Sequence, residues 1–327
     1  MRFGEPSLLA VLALFSFQTT SLAFHSQSGV LRSSPSRGWA TRLFTAAASD
    51  ENDEDQLSNV LLGRLPTSVD DQVRQATEAL KKATADGRFR HSIRLLLPVI
   101  GATDLDDWPG GARQMMEAAY PLMTDTLKGT GAKEFQQVLL DASDGVYAIF
   151  GQGEQARDDS CTVLLPSADN VPKLEELEKQ VGNMRNFIIV NPQWKRKSDF
   201  GGWFGNDDEA VKYSEKFEPT FSLTNLIVEG ENIRVLRTYP GPWRVFARDE
   251  VDGVVEWKEF GRKEFVPKKP SNWDDMPQNK RDGGLLFAYG LPTYQEILDM
   301  LTNSPNYTQK NPAEKAVASL TFIKDTL

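Results

Sequence analysis

SIRLLLP at Ser92–Pro98, CTVLLP at Cys161–Pro166 and NFIIVNP at Asn186–Pro192 are three short apolar runs, each closed by a proline. Runs of this length with no polar alternation are what a strand covered on both faces requires. FQQVLL at Phe135–Leu140 reads the same way. Between and around these runs the period changes to that of a helix. Val69, Val73, Ala76, Leu80 and Ala83 repeat at helical spacing after Pro66-Thr67 and stop at Asp86-Gly87. Ala112, Met115, Met116 and Ala119 follow Trp108-Pro109, with Pro121 expected to kink or end that helix. Leu174, Leu177 and Val181 share one side of Pro172–Val181. Strands alternating with helices predict an α/β fold built on a mostly parallel, open sheet with flanking helices and right-handed crossovers. Val146–Phe150 fits a strand or a helix turn equally well.

Beyond Phe217 the strands crowd together: Thr220–Val228, Ile233–Tyr239, Trp243–Phe246 and Val254–Phe260, with Gly230, Gly241 and Gly253 at the turns. This pattern predicts antiparallel strands extending the same sheet. Two helices are expected at the C-terminal end. One opens on the capping box Thr293-Tyr294-Gln295-Glu296, and one at Asn311-Pro312 with Val317, Leu320 and Ile323 inward. Residues 65–327 are expected to form a single α/β domain.

The first 64 residues read as an address. Residues 1–23 have a basic start at Arg2, an apolar stretch from Leu8 to Phe17 and small residues at Ser21 and Ala23, the make-up of a signal peptide. Residues 24–49 interleave Arg32, Arg37 and Arg42 with serines and hold no acidic residue, the make-up of a transit peptide. Ser21-Leu22-Ala23-Phe24 resembles the cleavage motif of plastid cargo in algae with secondary plastids of the red lineage. Residues 50–64 read as an acidic linker. The expected location is the plastid stroma or the stromal face of the thylakoid, in an alga with a secondary plastid. The alternative is a secreted protein with a disordered basic N-terminus. No later apolar run reaches the length of a membrane span.

Composition excludes several classes. A net charge of -9 over 327 residues argues against a nucleic-acid binder, which neutralises phosphates with clustered Lys and Arg. The single cysteine, Cys161, excludes an intramolecular disulfide. With only His25 and His91, zinc and haem sites are not expected, and neither metal nor cofactor is anticipated. His91 reads as a half-exposed structural histidine rather than the base of a Ser/His/Asp or Cys/His arrangement. Gly151-Gln152-Gly153 lacks the third glycine of a dinucleotide fingerprint, and no Gly-Lys-Ser/Thr phosphate loop occurs. The pairs Asp106-Asp107, Asp158-Asp159, Asp207-Asp208 and Asp274-Asp275 read as solvated surface rather than acid/base or magnesium pairs.

Two segments are richer in aromatic residues and proline than packing requires: Asn191-Pro192-Gln193-Trp194, and Arg237 to Arg244 with Tyr239, Pro240 and Trp243. Both fall just past expected strand ends, where open α/β sheets hold ligands. Asn191, Trp194, Arg237, Tyr239 and Trp243 are therefore the expected partner- or ligand-binding residues. The competing reading is that Pro and Trp stiffen two turns. On the Asn-Pro-x-Trp and Arg-x-Tyr-Pro-x-x-Trp motifs, the chain from about Leu65 to Phe260 resembles a domain-of-unknown-function family of cyanobacteria and chloroplasts. That family occurs in the low-photosystem-II-accumulation assembly factor and in the tail of a chloroplast adenylate kinase. The resemblance implies a non-enzymatic assembly or maintenance factor for photosystem II, with core or insertion components as partners, and carries no catalytic residues across. Lys195, Arg196 and Lys197 followed by Trp203 and Phe204 form an insert expected to touch a thylakoid surface or a partner, or to fold on itself as an Ω-loop. The alternative function is a nucleotide- or small-molecule-binding enzyme using the sheet crevice.

Overall fold

The computed structural model describes residues 61–97, 111–143, 145–182, 185–194, 197–202, 205–206, 208–251, 254–265 and 291–304. The expected signal, transit and linker segments and the expected helix at Asn311-Pro312 lie outside the described residues, apart from 61–64 of the linker.

In chain order the elements are α1 (Val69–Ala85), β1 (Arg90–Arg94), α2 (Gly111–Gly129), β2 (Glu134–Asp141), β3 (Val146–Gln152), β4 (Ser160–Leu164), α3 (Val171–Val181), β5 (Asn186–Val190), β6 (Gly201–Gly202), β7 (Gly205–Asn206), α4 (Asp208–Ser214), β8 (Glu218–Val228), β9 (Glu231–Thr238), β10 (Trp243–Val251), β11 (Val254–Lys263) and α5 (Tyr294–Thr302). Nine strands form one sheet in the order β11-β10-β9-β8-β1-β5-β4-β3-β2. The chain is mixed α/β, as expected, but the sheet is mostly antiparallel. Only the central strands β8, β1, β5 and β4 pair in parallel, and an antiparallel run flanks them on each side. The reason lies in the connections around β3. Residues 142–145 and 153–159 are too short to carry the crossover that parallel pairing needs, so β2, β3 and β4 must fold back on one another. Val146–Phe150 is thereby settled as strand, and Phe135–Leu140 lies in an edge strand with Leu139 exposed rather than covered on both faces.

Ile93, Ile188, Val190, Phe221, Leu223 and Leu236 project onto one face of the sheet, where Ala76, Leu80 and Ala83 of α1 and Met115, Ala119 and Met123 of α2 cover them. On the alternate positions, Phe187 packs against Phe217 at the end of α4, the ring centroids 5.9 Å apart. Ser68 caps α1 by accepting from the Asp71 N–H. The helix does not end at Pro121, and α2 runs through it to Gly129. Pro121 and Glu117 are both on the exposed side, so the carbonyl that loses its partner faces water while Leu122, Met123, Thr126 and Leu127 hold the helix down. The expected capping box of α5 is present.

His91 is fully buried rather than half-exposed. Its Nε2 lies 3.1 Å from Asn186 Oδ1 and its Nδ1 2.8 Å from Thr220 Oγ1. The same Asn186 oxygen accepts from the Thr84 hydroxyl, while Asn186 Nδ2 donates to the Arg157 carbonyl. An amide oxygen only accepts, so Nε2 carries the proton and Nδ1 accepts from Thr220. Burial lowers the His91 pKa to about 4, Arg90 adding to the effect and the Asn186 bond opposing it. A lowered folded-state value means that His91 contributes its full stability above pH 6.5 and loses it as the pH falls toward 4. Between pH 6.5 and 5 the loss should reach about 2 kcal/mol. Urea unfolding across that window should show this slope in the wild type and a nearly flat line in His91→Gln; parallel slopes would contradict the assignment.

Candidate functional site

α1 ends at Asp86, and Gly87, with φ of 76°, turns the chain so that Arg88 and Phe89 lead into β1. α4 ends at Ser214, and Glu215, Lys216 and Phe217 lead into β8 in the same way. These two approaches lie side by side because β1 and β8 are parallel neighbours, His91 facing Glu218 in the register. Between them is a cleft of about 280 Å³, walled by Arg88, Phe89, Arg90, Lys216, Phe217 and, from beyond β11, Phe265.

A continuous polar chain runs behind this cleft. The Tyr239 hydroxyl donates to Asp86 Oδ2 at 2.8 Å and is also hydrogen-bonded to Arg88. Arg88 Nε lies 3.6 Å from Glu218 Oε2, and Arg237 Nη2 donates to Glu218 Oε1 at 3.2 Å. Glu218 thus serves two guanidinium groups. Arg237 is 1% exposed, and its Cζ lies 3.7 Å from the centroid of the Phe265 ring. Its Nε and Nη1 have no hydrogen-bond partner among the described residues. Burial lowers the Arg237 pKa to about 10, with Glu218 opposing, so the side chain is a cation at neutral pH. Burial, aided by the bond to Asp86, raises Tyr239 above its ordinary value. Arg90 is a fixed part of the wall, donating to Glu178 and to the carbonyls of Phe89, Gly182 and Arg185. Lys216 lies 4.7 Å over the Tyr213 ring with its side chain toward solvent.

The five residues expected at one binding face are divided between two ends of the sheet. Asn191 and Trp194 follow the carboxyl end of β5, whereas Arg237 and Tyr239 reach Glu218 and Asp86 at the amino ends of β8 and β1. Asn191 is fully buried at φ 45°, its Oδ1 accepting from the Leu95 N–H at 2.7 Å and its Nδ2 donating to the Leu95 carbonyl at 2.9 Å. Trp194 is buried against Phe200. Trp243 is buried on β10 opposite Arg237. These three side chains are therefore inaccessible to a partner in this fold. Lys195, Arg196, Trp203 and Phe204 lie outside the described residues, and Lys197 opens a 3-10 turn, Lys197–Phe200. Arg88, Lys216, Glu218 and Phe265 escaped the sequence reading, because isolated residues at element ends carry no signal until the fold brings them together.

Catalytic couples find no support among the described residues. His91 is locked neutral, Cys161 is buried with its thiol pKa raised by that burial, and no group of three His, Cys, Asp or Glu could hold a metal. No described helix is long and apolar enough to cross a membrane.

The burial assignments predict large stability losses. Trp243→Ala should cost about 3–5 kcal/mol. Asn191→Ala should cost about 2–4 kcal/mol, since it orphans both Leu95 backbone groups and strains a positive φ. Chemical denaturation measures both, and a loss under 1 kcal/mol in either would restore that residue as a surface anchor.

No curated protein and no solved structure matches the chain. The family described as "Domain of unknown function (DUF1995)" matches residues 66–269, more than half of the chain, and the protein belongs to that family.

Proposed function

We propose that the protein is a non-enzymatic plastid factor that binds a protein partner through the cleft at the amino ends of β1 and β8, in the service of photosystem II assembly or maintenance. One observation carries the binding part: exposed Arg88 and Lys216 and three phenylalanines converge on one small concavity, with Glu218 in its wall and its partner Arg237 buried behind. Arginine and aromatic side chains around a partly desolvated pocket are the composition of an interface anchor. The proposed location, the stroma or the stromal face of the thylakoid, rests on the signal- and transit-like composition of residues 1–49. The photosystem II role rests on the Asn191–Trp194 and Arg237–Trp243 motifs and the family resemblance they carry. A small-molecule site in the crevice at the carboxyl end of β5 is disfavoured. There the Asn191 side chain occupies both Leu95 backbone groups, and Trp194 is packed on Phe200.

Tagged wild-type protein and an Arg88→Glu/Lys216→Glu variant, each recovered from plastids in mild detergent, test this reading. The wild type should retain photosystem II core or insertion components, and the variant should lose most of them while still unfolding cooperatively in urea. Equal retention by the two would remove the cleft from the interaction, and recovery of the bait alone would remove the partner-binding role.

A further inference from the structure

We propose that the cleft recognises the carboxyl terminus of a partner chain whose last residue is apolar or aromatic. This rests on the cleft being the partner-binding site. The terminal carboxylate would lie between Arg88 and Lys216, and the last side chain against Phe89, Phe217 and Phe265.

Three observations select this ligand. The first is size: about 280 Å³ is at the small end of ligand pockets and suits one or two side chains rather than a folded surface. The second is the wall. Phe217 is buried while Phe89 and Phe265 are half-buried, so an apolar floor remains open beside a charged rim. The ligand needs an anion and an apolar body within one residue, and a C-terminal residue supplies both. The third is charge. Glu218 is shared between Arg88 and Arg237, and Glu178 is engaged by Arg90. Lys216 has a ring beneath it but no carboxylate partner among the described residues. Behind Phe265 the Arg237 guanidinium keeps two buried donors without partners among the described residues. Glu215 also lines the cleft and Asp86 adjoins Arg88 through Tyr239, so the preference for an incoming anion rests on the two exposed cations Arg88 and Lys216 at the rim rather than on net charge.

N-acetyl-phenylalanine is the probe, with N-acetyl-phenylalaninamide as its uncharged counterpart, each titrated into ¹⁵N-labelled protein. The acid should shift the amide signals of Gly87–Arg90 and Glu215–Glu218 in a saturable way. The amide should bind about ten-fold more weakly, as should the acid to Arg88→Gln/Lys216→Gln, a change confined to exposed side chains. Phe265→Ala removes apolar contact from both probes but uncovers Arg237, so the preference for acid over amide should widen by about three-fold or more. Equal affinity for acid and amide, or no shift at these amides, would overturn the proposal, as would an unchanged preference in Phe265→Ala. If the tagged protein still retains its partners in a cleft-dependent way when the probe fails, only the terminal-carboxylate inference falls. If retention is also independent of the cleft, the site itself falls.

Discussion

Everything in this molecule hangs on β1, a five-residue strand that pairs in parallel with β5 on one side and β8 on the other. It joins the two antiparallel flanks and is covered on both faces, so no polar group along it can rely on water. At its amino end the neutral His91 links β1 to Thr220 of β8 and to Asn186 of β5, and Thr84 of α1 shares the Asn186 oxygen. At its carboxyl end the pairing stops at Arg94, yet Leu95, Leu96 and Leu97 stay fully buried. Two side-chain amides make that possible. Asn191 takes both backbone groups of Leu95, and Gln72 of α1 takes both of Leu96, its Nε2 donating to the carbonyl at 3.0 Å and its Oε1 accepting from the N–H at 2.8 Å. Each amide imitates a neighbouring strand for one residue, which extends the buried core past the end of the sheet ladder.

Much of this fold was legible in the sequence. The apolar runs at Ser92, Cys161 and Asn186 became the central parallel strands, and the glycine-punctuated stretch after Phe217 became an antiparallel run. Strand direction was lost because an apolar run has the same pattern whichever way it points. The information was nonetheless present in the short links on either side of β3, which forbid a parallel crossover. Pro121 does not end α2 because it and Glu117 are both on the exposed side, where the loss of one helix hydrogen bond costs least.

The site was legible only in part. Arg237 and Tyr239 were selected by the density of aromatic and proline residues, and the fold puts both in the polar chain behind the candidate cleft. The same density also selected Trp194 and Trp243, which are core. A tryptophan near a turn looks alike whether it anchors a partner or the protein's own interior, because both uses bury the same large apolar surface. Arg88 and Lys216 lie 128 residues apart and adjoin only because β8 returns to the edge of β1.

That return also decides which end of the sheet is available. Open α/β sheets hold ligands beyond the carboxyl ends of their parallel strands, but here the ends of β1 and β5 are closed over by Asn191, Gln72 and Trp194. The amino ends are built differently. α1 and α4 deliver their chains into β1 and β8 through turns that leave charged side chains outward and phenylalanines between them. Arg237 is the buried guanidinium behind this end of the sheet. A guanidinium 1% exposed, with two donors lacking hydrogen-bond partners among the described residues, costs stability that an apolar residue in the same place would not. Asn191 and His91, equally buried, have their hydrogen-bonding groups matched. Arg237 stands behind Phe265 with Glu218 as its one carboxylate partner among the described residues, at the place where a ligand's carboxylate held by Arg88 and Lys216 would come nearest to it.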